Sequence, residues 1–224
     1  MIYQTTGAQP AGASLAERAY GQIKELILSL ELKPGQYVNE QELCTRTGTG
    51  RMPVHQAVHR LMSEGLLHVM PRKGIIIAAE SVNEVLAAME ARAAFEPNIA
   101  ALAAQRAGPP HIKQMEKLLR QSRKIADQRF RKEFMALDRL FHTVVAEASG
   151  NRILVDAQRP LQERSARIWS LIVMRRADGL RMTQDEHEAV FDAIRRANPD
   201  AARRAMEVHL ASLCRRLEDG ADSL

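Results

Sequence analysis

The chain has 224 residues, of which 46% are hydrophobic, 26% charged and only 4% aromatic, with a formal net charge of +5; this balance suits one large folded domain or two small ones and argues against a disordered chain. No apolar run approaches the ~18–20 residues that cross a bilayer, and the first residues, MIYQTTGAQP, lack the basic start and apolar block of a secretory leader. Two scattered cysteines, Cys44 and Cys214, give no disulfide framework, so membrane and disulfide-rich secreted classes are set aside and a cytoplasmic protein with no membrane partner is expected.

Residues 1–13 are small and polar, with Gly7, Pro10 and Gly12, and read as a disordered arm. Ser14 opens a first helix, with Glu17 as the other half of a capping box. Leu15, Ala19, Ile23, Leu26, Ile27 and Leu30 follow the helical repeat along it, and Lys33-Pro34-Gly35 ends it in a turn. Asn39 and Glu42 form a second capping box, starting a short helix that runs to about Arg46. After Thr47-Gly48-Thr49-Gly50 a third helix begins near Arg51, with Pro53 in its first turn, where a missing N–H costs little. Val54, Val58 and Leu61 face inward, and Gly65 ends the helix through a left-handed cap. Two extended runs, 66–70 and 75–79, are joined by Pro71-Arg72-Lys73-Gly74 and read as a hairpin.

Helix, short helix, turn, helix and hairpin within residues 14–79 is the plan of a winged helix-turn-helix. Residues 81–224 read as helices only, broken at Gly108-Pro109-Pro110, Ser149-Gly150-Asn151, Ala177-Asp178-Gly179 and Asn198-Pro199-Asp200. The expected fold is mainly α: a winged helix-turn-helix domain followed by an all-α bundle.

Local charge favours a nucleic-acid role for the first part. Between 43 and 79 stand Arg46, Arg51, Arg60, Arg72 and Lys73 against a single acid, Glu64, together with His55, His59 and His68. In a helix-turn-helix the second helix enters the major groove, and here its outer face carries Arg51, Met52, His55, Gln56 and His59. An arginine can fork onto guanine and a glutamine can pair with adenine. Arg72 and Lys73 at the hairpin tip are placed to meet phosphates or a minor groove, with Gly74 permitting close approach. His55 and His59 have the i,i+4 spacing of a ligand pair, but no third ligand is near.

Four polar groups in the helical part fall at apolar positions. Asp138 and His142 share a stripe with Phe134, Phe141 and Val145; His187 starts one with Val190, Phe191 and Ile194; His209 lies among Ala202, Met206 and Leu213. Buried polar groups need partners. Either each histidine bonds to nearby backbone, or the three imidazoles and the carboxylate ligate one divalent ion such as Zn²⁺, Ni²⁺, Mn²⁺ or Fe²⁺; spacing alone leaves both open. Arg92, in a stripe with Val85, Met89, Glu96 and Ile99, either pairs with Glu96 or offers its guanidinium to an anionic ligand. The basic run Arg120, Arg123, Lys124, Arg129, Arg131 and Lys132 reads as a solvated face, and Trp169 as part of a pocket wall or an interface.

Leu32-Lys33-Pro34-Gly35, Asn39-Glu40-Gln41-Glu42-Leu43, Arg51-Met52-Pro53-Val54, Arg60-Leu61, Glu64-Gly65-Leu66 and Pro71-Arg72-Lys73-Gly74 resemble the GntR superfamily of bacterial regulators. Across the start of the recognition helix that family usually reads Ser-Arg-Thr-Pro-Val-Arg-Glu-Ala; this chain reads Gly50-Arg51-Met52-Pro53-Val54-His55-Gln56-Ala57, keeping the first arginine and replacing the second with histidine. Arg92-x-x-x-Glu96-Pro97, Asp138-x-x-x-His142, Ala148-Ser149-Gly150-Asn151, Glu186-His187 and Ala205-Met206-x-x-His209-Leu210 resemble the FCD ligand-binding domain of the FadR branch.

That resemblance implies a metal on Asp138, His142, His187 and His209, a small carboxylate effector held near it with Arg92 as a contact, and a homodimer on a double-stranded DNA operator. Such dimers read palindromic half-sites about one helical turn apart. The implied activity is transcriptional control, with repression relieved by effector as the commoner outcome. Two alternatives stand beside it: a direct metal sensor, and a metal-dependent hydrolase or lyase using the Asp/His site, for which Glu186 and Glu188 flank His187 as candidate bases although the helix places both off the His187 face and no nucleophile motif accompanies them.

Overall fold

The computed structural model describes residues 14–79, 81–128, 131–173 and 179–221, with side chains at all of these except 82, 127, 128, 131, 167–173, 220 and 221. The N-terminal arm, Ala177 and Asp178 of one expected break, and the side chains of Arg129, Arg131 and Trp169 lie outside the described residues. The chain divides into two compact units, Met1–Glu80 and Ser81–Leu224.

The first unit runs α1 (Leu15–Leu28), β1 (Tyr37–Val38), α2 (Glu40–Thr47), α3 (Arg51–Ser63), β2 (Leu67–Met70) and β3 (Gly74–Ile77). Ser14 caps α1 by accepting from the Glu17 backbone N–H at 3.1 Å, and Asn39 caps α2 by accepting from that of Glu42 at 2.8 Å. Both expected capping boxes are only half made. The Glu17 carboxylate takes Arg60 of α3 at 2.9 Å, and that of Glu42 takes Arg46 at 3.2 Å, because a charged partner outcompetes a return to the cap backbone. α1 also stops earlier than its apolar repeat suggests: Leu30 lies beyond its end at φ 61°, and Leu15 is exposed.

Ile23 and Ile27 of α1, Leu43 of α2, Val54, Val58 and Leu61 of α3, and Leu67, Ile75 and Ile77 of the strands form one buried core. A fully buried Ile or Leu contributes about 1.5–3 kcal/mol relative to exposure, so this small unit depends on most of them. The sheet has order β1-β3-β2, antiparallel throughout, with Val38 opposite Ile75 and Met70 opposite Gly74. β1 has no counterpart in the sequence reading; it completes the wing by pairing with the free edge of β3. The β2–β3 turn carries Arg72 at φ 63° and Gly74 at φ 102°.

The second unit comprises α4 (Val82–Arg106), α5 (Pro109–Gln128), α6 (Arg131–Ala148), α7 (Arg152–Val173), α8 (Gly179–Arg195) and α9 (Pro199–Ala221). Ser81 and Glu84 make a complete capping box at the start of α4. α4 is the central element and packs against α6, α7, α8 and α9, while α5 lies on α6 and α8. Met89, Ile99, Phe134, Phe141, Val190, Ile194, Met206 and Leu213 belong to its continuous apolar core. The protein is thus a winged helix-turn-helix followed by an all-α domain, as the sequence predicts. Among the described residues no helix is long and apolar enough to cross a membrane.

Candidate functional site

On α3 the helical repeat separates two faces. Val54, Ala57, Val58 and Leu61 are buried, and Arg51, Met52, His55, Gln56 and His59 are exposed on the other side. The rings of His55 and His59 meet edge to face at 4.5 Å between centroids, and His55 Nδ1 lies 2.7 Å from Glu40 Oε1 of α2. Arg60 is drawn away from this face: it binds Glu17, reaches Glu64 at 3.4 Å and stacks 3.7 Å over the Tyr20 ring, tying α1 to α3. Arg51, Arg72 and Lys73, by contrast, have no ion-pair partner among the described residues. Gly74 is required where it stands, because a Cβ there would lie 2.9 Å from the Val38 carbonyl oxygen on the neighbouring strand.

In the helical unit α6, α8 and α9 bring His142, His187 and His209 together, all buried, with one ligand atom from each lying within 4.8 Å of the others. The Nε2 atoms of His142 and His209 are 3.3 Å apart. Asp138, one turn before His142, places Oδ1 3.5 Å from His187 Nε2. Ligands at ~2.0–2.2 Å from one ion, at cis-octahedral to tetrahedral angles, stand roughly 3.0–3.5 Å from each other. Both separations suit donors sharing one ion.

His187 Nε2 is buried with no hydrogen-bond partner among the described residues. An unmade hydrogen bond of this kind costs about 1–3 kcal/mol unless something else satisfies the group. The His187 ring stacks on Phe141 at 4.6 Å. Burial, and then the neighbouring His209 and His142, hold its pKa well below the usual histidine value. Burial likewise lowers that of His209, outweighing the Glu186 carboxylate beside it. Neutral imidazoles are the form in which histidine binds a metal.

Two glutamates back this cluster. Glu186 Oε2 accepts from His209 Nδ1 at 2.8 Å and from Arg216 Nη2 at 2.9 Å. Glu96 Oε2 of α4 lies 3.3 Å from His142 Nδ1, and Glu96 Oε1 accepts from Arg92 Nε at 2.5 Å. Burial alone would raise the Glu96 carboxyl, but the Arg92 guanidinium and His142 hold it well below the usual carboxylate range. Helical periodicity offers Glu96 only Arg92 as a partner and places Glu186 off the His187 face, away from the cluster. Its target is His209, on another helix. Glu188 does point elsewhere, to Gln184 and to Arg123 of the expected basic face.

Arg92 makes the internal ion pair with Glu96. Besides Glu96 it donates to Ser165 Oγ of α7 at 2.8 Å, and it lines a small cavity with Asp138, Gln162, Ser165, Met89 and Leu213. One wall of that cavity is therefore a prospective metal ligand and another a guanidinium.

Residues 87–212 match the FCD domain, and residues 15–77 match the bacterial regulatory proteins of the gntR family. A transcriptional regulator of the HTH type from an unstable DNA locus of Streptomyces ambofaciens is 28% identical over 92% of this chain and 86% of its own length. The galactonate operon transcriptional repressor of Escherichia coli is 27% identical over 87% of this chain and 95% of its own. Among solved structures, E. coli McbR/YncC superposes with a TM-score of 0.83 at 18% identity, covering 92% of this chain and 98% of that one. A GntR regulator from Rhodococcus sp. RHA1 gives 0.75 at 15% identity, covering 92% and 99%. At these identities the two structures speak for the fold alone.

Proposed function

The chain belongs to the gntR family of bacterial regulatory proteins and carries an FCD domain, and from that premise we propose that it is an operator-binding repressor controlled by a small carboxylate held beside a divalent metal. The family consists of DNA-binding transcription regulators, repressors among them, and the hydrolase or lyase alternative gives way to it. On this reading the chain works in the cytoplasm as a homodimer on double-stranded DNA.

Arg51, Met52, His55, Gln56 and His59 face the major groove, and Arg72, Lys73 and Gly74 bring the wing to the backbone. The three unpaired cations support this, since phosphate contacts supply most of the affinity of such complexes. His142, His187, His209 and Asp138 hold the ion, whose contribution when bound is a Lewis-acidic position for a ligand oxygen. Formal charge fits an anionic effector. Three carboxylates, Asp138, Glu96 and Glu186, face two guanidiniums, Arg92 and Arg216, and a divalent ion turns that single negative excess into a single positive one. Arg92 supplies the second attraction from the cavity wall. For the effector to act as a switch, it binds the DNA-competent and DNA-incompetent states with different affinity.

The observation carrying the control half is the convergence of three buried imidazoles with an unsatisfied Nε2. The test is fluorescence anisotropy of the full chain on DNA from its own promoter region, across a salt series, with metal content assayed alongside. A salt-sensitive complex that small carboxylates weaken only in metal-loaded protein is expected. No salt-sensitive complex, or no bound metal after exposure to Zn²⁺, overturns the corresponding half. A full response to Zn²⁺ without any organic ligand makes the protein a metal sensor instead.

A further inference from the structure

We infer that Glu96 and Glu186 are positioning residues for the ion, each holding a histidine with Nδ1 protonated so that the Nε2 lone pairs of His142 and His209 point at a common centre; this rests on the metal reading above. The two sides share one order of residues, but the contacts differ: His209 Nδ1 donates to Glu186 at 2.8 Å, whereas His142 Nδ1 lies 3.3 Å from Glu96 Oε2 without a well-aligned hydrogen bond among the described residues. On one side the order is Arg92, Glu96, His142; on the other it is Arg216, Glu186, His209.

A carboxylate accepts but does not donate, so it fixes the imidazole tautomer it touches. Donation from Nδ1 also raises the basicity of Nε2 and locks the ring's orientation. The two Nε2 atoms stand 3.3 Å apart. With both rings held as Nδ1–H tautomers, a shared cation takes the place of the hydrogen bond that an Nε2–H tautomer would make there. Glu186 gives both oxygens to Arg216 Nη2, Oε1 at 3.2 Å and Oε2 at 2.9 Å, and Oε2 takes His209 Nδ1 at 2.8 Å as well, so the imidazole contact comes in addition to neutralising the arginine. The arginines sit behind: Arg216 is anchored further by the Gly179 carbonyl and Thr183 Oγ1, both at 3.1 Å, so Glu186 cannot turn toward solvent without leaving a buried guanidinium half-satisfied.

The test measures Zn²⁺ affinity of the full chain by competition with a chromophoric chelator, in wild type, Glu96→Gln, Glu186→Gln, Glu186→Asp and His187→Ala. Each Gln variant is expected to bind Zn²⁺ about 10–100-fold more weakly, as loss of an outer partner does elsewhere. Glu186→Asp recovers part of the loss. ¹⁵N NMR of the metal-free wild type at mildly alkaline pH should show His142 and His209 as Nδ1–H tautomers, a readout that needs no variant to fold. Wild-type Zn²⁺ affinity in both Gln variants while His187→Ala loses the ion overturns the inference and leaves the metal reading standing, as does an Nε2–H tautomer at either ring. A wild type that takes up no Zn²⁺ overturns both.

Discussion

His55 of α3 and Glu40 of α2 stand side by side at the surface of the DNA-binding unit, Nδ1 to Oε1 at 2.7 Å. The carboxylate can only accept, so the ring donates from Nδ1 and turns Nε2 outward. This is where the chain departs from its family's usual arginine, and it keeps a negative charge next to the face that would meet phosphates.

Glu40→Gln removes that charge while leaving His55 a hydrogen-bond partner. Exposed pairs of this kind are worth little, about 0.2–1 kcal/mol, so affinity for non-operator DNA should rise by no more than roughly fivefold. Anisotropy on a scrambled duplex checks it; weaker binding would place Glu40 in a favourable DNA contact instead.

Arg51→Ala should cost about 1–3 kcal/mol of operator affinity and relax preference at a single base pair. Its exposed side chain holds no described ion pair, so the melting temperature should not change. Full affinity in the variant would displace the recognition helix from its proposed groove.

Saturating Zn²⁺ should stabilise the wild type, by about 2.7 kcal/mol at a hundredfold excess over the dissociation constant. In His187→Ala the shift should largely vanish, while salt-sensitive DNA binding persists. Differential scanning fluorimetry with and without chelator reads the first, anisotropy the second; an undiminished Zn²⁺ shift would remove His187 from the ligand set.

In chelator-stripped protein, stability should fall in two stages on acidification. His187 and His209 have folded pKa values below the ordinary 6.5. As pH drops under 6.5 the unfolded chain takes up protons that the folded one refuses, and stability is lost from there downward. Glu96, held below its ordinary 4.5, adds a second loss as pH falls under 4.5, where the unfolded carboxyl protonates first. Denaturant midpoints across pH test this; a flat profile between neutrality and pH 4.5 contradicts buried, neutral imidazoles.

Gly74→Ala should destabilise the first unit by about 1–3 kcal/mol, since the new Cβ meets backbone and not a yielding side chain. Chemical denaturation followed in that unit measures it, and an unchanged midpoint would show that the wing opens at no cost.

Much of this architecture was legible because local signals and burial agree. Ser14, Asn39, Gly48 and Gly65 mark boundaries through backbone chemistry, and Asp138, His142, His187 and His209 stand out as polar groups on apolar stripes. What escaped depends on partners distant in sequence. The β1 strand, Tyr37–Val38, exists because β3 offers it an edge. Glu17 abandons its cap for Arg60, a residue 43 positions away. Glu186 was misjudged for a similar reason: helical periodicity says which way a side chain leaves its own helix, not which neighbouring helix receives it.

Arg72 occupies the left-handed region at φ 63°, a conformation in which glycine would rest without strain. Exchanging it for glycine should therefore leave the fold as robust as before, or slightly more so, while dulling the wing's grip on DNA. If so, this hairpin tip tolerates a small mechanical discomfort to put a cation at its most forward point, and laboratory selection for thermal endurance alone would be expected to discard that arginine first.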